Sequence, residues 1–206
     1  MAKHRSQLEI ERKYDVDADL PAPHLVGVGA VAVESEPHTA ELVATYYDTE
    51  ELRLARRRIA VRARRGGSDE GWHVKLAPGE EGRPELHWPL GDGVQPPEQL
   101  LEAIRDVLGD GRLLPVARVT NVRDTIVLTD AAGFELAELC DDHVRSENLR
   151  TGAGDAWREW EVELLSGAPD SRERRTALLD GIEAELLAAG ARPSASGSKL
   201  HRALGL

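Results

Sequence analysis

Polar and apolar residues alternate along much of this chain, and the alternation predicts strands. Residues 6–15 carry Glu9, Glu11 and Lys13 at every second position, with Leu8, Ile10 and Tyr14 on the other face. "GAVAVESEP" (29–37) and "TAELVATYYDT" (39–49) read as two strands around a turn at Glu36 and Pro37. Asp48 and Thr49 suit the cap of a short helix over 50–57. "RIAVRARR" (58–65) alternates again, placing Ile59, Val61 and Ala63 opposite Arg58, Ala60, Arg62 and Arg64. "WHVKLA" (72–77) and "RPELHWPL" (83–90) form a predicted hairpin in which His73 and Lys75 oppose Trp72, Val74 and Leu76.

Further along, "PPEQLLEAIRDVLGDG" (96–111) has the prolines and glycines that bracket a helix. Two long strands, 113–130 and 133–144, are joined by a turn at residues 130–133, and a third covers 156–167. A helix over 169–191 has Pro169 near its start and Gly190 at its end, and 194–206 reads as a short tail. The pattern predicts an α+β fold, about eight strands in hairpin order forming an antiparallel sheet or barrel, with helices packed outside. One strand after another has an apolar face and a charged one. A single wet sheet face explains any one of them, and a barrel with a polar lumen explains all of them.

Composition narrows the function. At 206 residues the chain is long enough for a substantial core. It is 41% hydrophobic but only 4% aromatic, so Leu, Val and Ala must fill most of that core. No stretch has signal-peptide or membrane-span character, and the lone Cys140 forms no internal disulfide; both fit a cytoplasmic protein without a membrane partner. Cys140 reads as a buried filler. The net charge of −11 argues against nucleic acid as a partner but not against a small anion held by a local basic cluster.

Such a cluster exists. Lysine is rare here, only Lys3, Lys13, Lys75 and Lys199, and three of the four fall on the charged faces. Arg62, Arg64, Arg118 and Arg123 join them, and Glu161 and Glu163 repeat the paired carboxylates of Glu9 and Glu11. Arginine and lysine neutralise phosphate oxygens, while paired carboxylates are hard oxygen ligands for Mg2+ or Mn2+. Either half alone is weak; inside one barrel they describe a metal–polyphosphate site.

"EIERK" at residues 9–13 resembles the E-x-E-x-K signature of the CYTH domain, the triphosphate tunnel metalloenzyme family. The resemblance continues through "YYDTEELRLARRRIAVRARR", "WHVKLA", "RPELHW", "LLPVARVTNVR", "ELCDD", "WEVEL" and "SGSKLHRAL", in the family's order and over essentially the whole chain, so 1–206 is expected as one CYTH domain. It implies an eight-stranded antiparallel barrel whose lumen binds triphosphate. Glu9, Glu11, Glu161 and Glu163 are then the metal-binding and catalytic carboxylates, with Asp142 as a further ligand. Lys13, Arg62, Arg64, Lys75, Arg118, Arg123 and Lys199 hold the substrate, with Mg2+ or Mn2+ as cofactor. Asp141 competes with Asp142 for its place by register. Glu138 and Glu85 are expected toward the lumen, and Glu159 either there or at the rim.

The implied activity is hydrolysis of a triphosphate, inorganic triphosphate first. A non-catalytic polyphosphate-binding module is the alternative, because bacterial CYTH domains often accompany a polyphosphate-linked CHAD domain. Thiamine triphosphatase and class IV adenylate cyclase share the same signature, and the sequence leaves both substrate and oligomeric state open. The G-x-G-x-x-A match at 27–32 lacks a βαβ context, and the seven histidines show no zinc-ligand spacing. His73 and His87 are expected as rim or structural residues.

Overall fold

The computed structural model describes residues 5–91 and 95–206, and in it eleven strand segments form one antiparallel sheet. These are β1 (Arg5–Glu9), β2 (Glu11–Asp15), β3 (Val33–Glu34), β4 (His38–Asp48), β5 (Ala60–Arg65), β6 (Gly71–Lys75), β7 (Arg83–Trp88), β8 (Leu114–Thr129), β9 (Glu135–Asn148), β10 (Gly154–Leu164) and β11 (Arg192–Pro193). The strand order is β1-β7-β6-β5-β4-β8-β9-β10-β2-β11. β1 pairs with β7 at one end of that path and β2 pairs with β10 at the other, yet only Ile10 separates β1 from β2. The Ile10 carbonyl accepts the Leu164 amide at 2.9 Å. One N-terminal strand thus joins both edges, and the sheet curls back on itself.

The count of eleven exceeds the eight expected because the first strand is split at Ile10 and two segments are only two residues long. β3 also corrects the predicted hairpin. It does not pair with β4 but continues β4's line along β8, with Val33 opposite Thr129 and His38 opposite Thr125. Pro37 has no N–H to donate, so the ladder is interrupted there. Asp130 closes the β8–β9 turn by accepting from the Ala132 and Phe134 amides at 2.8 and 2.9 Å, as the sequence predicted.

Helices cover the outer wall. α1 (Glu98–Ala103) and α2 (Arg105–Leu108) divide the expected single helix at Ile104. Leu100, Ile104 and Leu108 still bury against Val61, Trp72, Val74 and Trp88. α3 (Arg172–Ala189) starts where the Ser171 hydroxyl accepts the Arg174 amide. Its Leu178, Leu179, Ile182 and Leu186 pack on Tyr14, Trp160 and Val162. Each such side chain contributes about 1.5–3 kcal/mol of apolar burial. The predicted tail is instead α4 (Lys199–Leu204), capped by Ser198. Leu200 and Ala203 of α4 bury with Ala44, Tyr46, Val119 and Trp157, residues of the lumen face, so this helix plugs one end of the barrel. The other helices lie outside, as expected, and α4 is the one the sequence read only as a tail.

Asp48 and Thr49 cap the short segment after β4. The fully buried Asp48 carboxylate accepts the Thr49, Leu54 and Ala55 amides at 2.7, 3.0 and 2.8 Å. The chain there makes a single 3-10 turn, Ala55–Arg57, rather than the predicted helix over 50–57.

Candidate active site

The strand pleat alternates side chains between lumen and exterior, and this places most of the site. On β2 and β10 Lys13 lies opposite Glu161, and Glu11 opposite Glu163. The Lys13 ammonium donates to Glu11 at 2.9 Å and also to Glu161. Lys199, brought in by α4, places Nζ 2.7 Å from Asp142, 2.6 Å from Glu159 and 2.8 Å from Glu161. Arg123 binds Asp142 through two nitrogens, at 2.7 and 2.6 Å, and reaches Glu161 at 2.5 Å. Asn121 donates to the same Asp142 at 2.8 Å.

The opposite wall comes from β1, β5, β6 and β7. Lys75 Nζ lies 2.6 Å from Glu9. Glu85 faces His73 at 2.9 Å and Arg62 at 3.6 Å. Between the walls lies a cavity of about 310 Å³, lined by Glu9, Glu11, Lys13, Arg62, Arg64, Lys75, Arg123, Glu161, Glu163 and Lys199 among others.

Burial and charge divide these groups into two kinds. Burial opposes ionisation of Glu161, but Lys13, Lys199 and Arg123 outweigh it and hold the carboxyl well below its usual range. Burial is likewise overcome at Glu11 by Lys13 and Lys75. The reverse holds for Glu9, which burial pushes up to about 8, and Glu163, which it pushes up to about 7. Glu9 Oε2 makes an ion pair with Lys75 at 2.6 Å and no hydrogen bond among the described residues. Glu9 has one ion-pair partner, Lys75, and Glu163 has none among the described residues, too little in either case to offset burial. Burial, reinforced by Arg62 and Arg123, lowers Arg64 to about 9. The buried Nε donors of Arg62 and Arg64 have no partner.

This donor set fits both a divalent cation and an anion. Glu9, Glu11 and Glu163 offer hard oxygens whose mutual repulsion a cation relieves. The unpartnered arginine donors suit ligand oxygens. The tightest acidic cluster among the described residues is Asp142, Glu159 and Glu161, with one oxygen from each within 4.8 Å of the others. In this structure that cluster already encloses the Lys199 ammonium.

Ten of the expected residues come together around the lumen, and two placements differ. Arg118 is exposed on the outer wall, beside Tyr47, Arg65 and Trp72. Five positions separate it from Arg123 on one strand, and an odd separation puts the two on opposite faces. Asp142 does face the lumen, but it is fully buried behind it with both oxygens bound to Asn121, Arg123 and Lys199. Asp141 points outward to Arg158 at 2.8 Å. Glu159 is interior rather than rim. His73 is structural, buried and held by burial near a pKa of about 3. Cys140 is buried, and burial raises its thiol above the ordinary range. Sequence reasoning missed Tyr46, Arg83, Asn121 and Asp69, all of which line the cavity. Alternation from Arg123 reaches Asn121, and nothing local flags Asp69.

Comparison with known proteins agrees with this architecture. The chain is 40% identical to the uncharacterized protein Rv2226 of Mycobacterium tuberculosis, over 96% of its own length. It spans only 40% of the length of that relative. A Bacillus halodurans crystal structure, described as that of a candidate adenylate cyclase, superposes with a TM-score of 0.65 at 21% identity, covering 96% of this chain and 97% of that one. The PH1819 protein of Pyrococcus horikoshii OT3 gives 0.53 at 16% identity, covering 96% and 98%. At these identities the two structures speak for the fold alone. The model of the CYTH domain matches residues 7–179, and the chain belongs to the CYTH domain family.

Proposed function

We propose that this domain is a divalent-metal-dependent triphosphatase whose preferred substrate is inorganic triphosphate. One observation carries the reading: one small cavity joins carboxylates that burial keeps raised to arginines with unpartnered donors. Lys13, Arg62, Arg64, Lys75 and Arg123 grip the phosphate oxygens, which orients the chain and neutralises its charge. Glu9, Glu11 and Glu163 hold the metal, Mg2+ or Mn2+. Bound there, the cation would supply Lewis-acid polarisation of the phosphoryl oxygens. Without metal, burial raises Glu163 to about 7, so binding of the cation there would release its proton. Glu161 and Asp142 act through the cations they hold, fixing Lys13, Arg123 and Lys199 in place.

Among the described residues that line the cavity Tyr46 is the only aromatic one; burial opposes ionisation of its hydroxyl, but Arg62 outweighs it and lowers the pKa. With so little aromatic surface for a nucleobase or thiamine ring to stack on, the described lining supports the inorganic substrate over ATP and thiamine triphosphate. The test is phosphate release from triphosphate, ATP, thiamine triphosphate and long-chain polyphosphate, with Mg2+, Mn2+ or EDTA, and cyclic AMP measured in the ATP wells. Metal-dependent release that is fastest with triphosphate and lost in Glu9→Gln is the expected result. Tight polyphosphate binding with no product anywhere would replace the hydrolase by a binding module.

A further inference from the structure

The loop between β5 and β6, residues 66–70, places Asp69 at the lumen, where its carboxylate pairs with Arg64. Arg64 is 8% exposed in its side chain and Asp69 50%, so a surface loop sends an anion inward onto a buried cation. The loop's base is fixed. Gly66 has φ +81°, and its backbone passes so close to β4 that a Cβ would lie 2.1 Å from the Glu41 carbonyl oxygen. At the other end the Asp69 carbonyl meets His73 Nε2 at 2.9 Å, and His73 Nδ1 meets Glu85 at 2.9 Å. The loop is therefore tied to the same wall that carries Arg62 and Arg64.

We propose that Asp69 is an intramolecular competitor, a carboxylate that sits on Arg64 in the place of a ligand phosphate oxygen and sets how tightly the lumen holds its anion. This rests on the reading of Arg64 as a phosphate contact. Carboxylate and ligand oxygen exchange on one cation. A ligand oxygen reaching Arg64 must first displace an ion pair that costs no translational freedom to form, so part of its binding energy goes into that displacement. The Asp69 side chain is half exposed and regains water when released, so the displacement is feasible. As the ligand leaves, the carboxylate returns.

The experiment is calorimetric binding of inorganic triphosphate in EDTA to the wild type, Asp69→Asn, Asp69→Ser and Glu70→Gln. Glu70 lies on the same loop and its carboxylate accepts only the exposed Gly66 amide, so it controls for the loss of one negative charge. Both Asp69 variants should bind about two- to fivefold more tightly than wild type, the range of a partly exposed ion pair, with a smaller change for Glu70→Gln. Unchanged or weaker binding by the Asp69 variants, or an equal gain in Glu70→Gln, overturns the competitor while leaving the phosphate site standing. Absence of binding by all four proteins overturns both.

Discussion

The Lys199 ammonium lies 2.7 Å from Asp142 Oδ2 and 2.8 Å from Glu161 Oε1, so one residue of the plug helix ties together β9 and β10 at the heart of the lumen. Burial opposes its charge, yet Asp142, Glu161 and Glu159 raise its pKa well above the ordinary lysine value. Lys199→Met should lower stability by about 3–5 kcal/mol, the cost of leaving buried carboxylates without their cation. Urea unfolding of variant and wild type measures this. A loss below 1 kcal/mol would show that the three carboxylates do not need Lys199.

Arg118 and Arg123 provide a paired test of the lumen. Arg123 is bidentate on Asp142 inside, whereas Arg118 is exposed outside. Arg123→Ala should reduce triphosphate turnover by at least a hundredfold, and Arg118→Ala should stay within about twofold of wild type, as surface substitutions do. Steady-state phosphate release decides it, and equal losses would put Arg118 back in the site.

His73 carries a pH dependence. Its folded pKa of about 3 lies below the unfolded value of 6.5 because burial outweighs the opposing pull of the Glu85 carboxylate. Between those values the unfolded chain binds a proton that the folded chain does not, so stability is present above pH 6.5 and falls as the pH drops toward 3. Relative to His73→Gln, the wild type should lose up to about 1.4 kcal/mol per pH unit between pH 6 and 4.5. Denaturant titrations across that range check the difference. Parallel curves would mean that His73 is protonated in the folded state.

Asp48, the last residue of β4, satisfies three buried amides of the segment that follows it. Asp48→Ala strands those donors, and a loss of about 2–4 kcal/mol follows from caps and charge-assisted bonds of this kind. The shift in thermal midpoint measures it. Because Asp48 is away from the cavity, turnover per folded molecule should remain near wild type.

The sequence alone settled the alternation, and with it the strands, the outward apolar faces and most of the charged wall: Glu9, Glu11, Lys13, Arg62, Arg64, Lys75, Glu161 and Glu163 follow from period-two spacing joined to a recognisable motif. Spacing also contained the answer for Arg118, whose odd separation from Arg123 forbids a common face. Spacing held no information about charge balance. Which carboxylates are held ionised and which are left raised depends on cations from strands and a helix far away in the chain: Lys199 and Arg123 satisfy Glu161 and Asp142, while burial prevails at Glu9 and Glu163. The tail became a plug for the same reason. Leu200 and Ala203 are too few to announce a helix by pattern, and they find burial only once the barrel end has closed around them. Local periodicity therefore chose the faces, and tertiary closure chose the partners, because electrostatic energy is set by distance in space rather than along the chain.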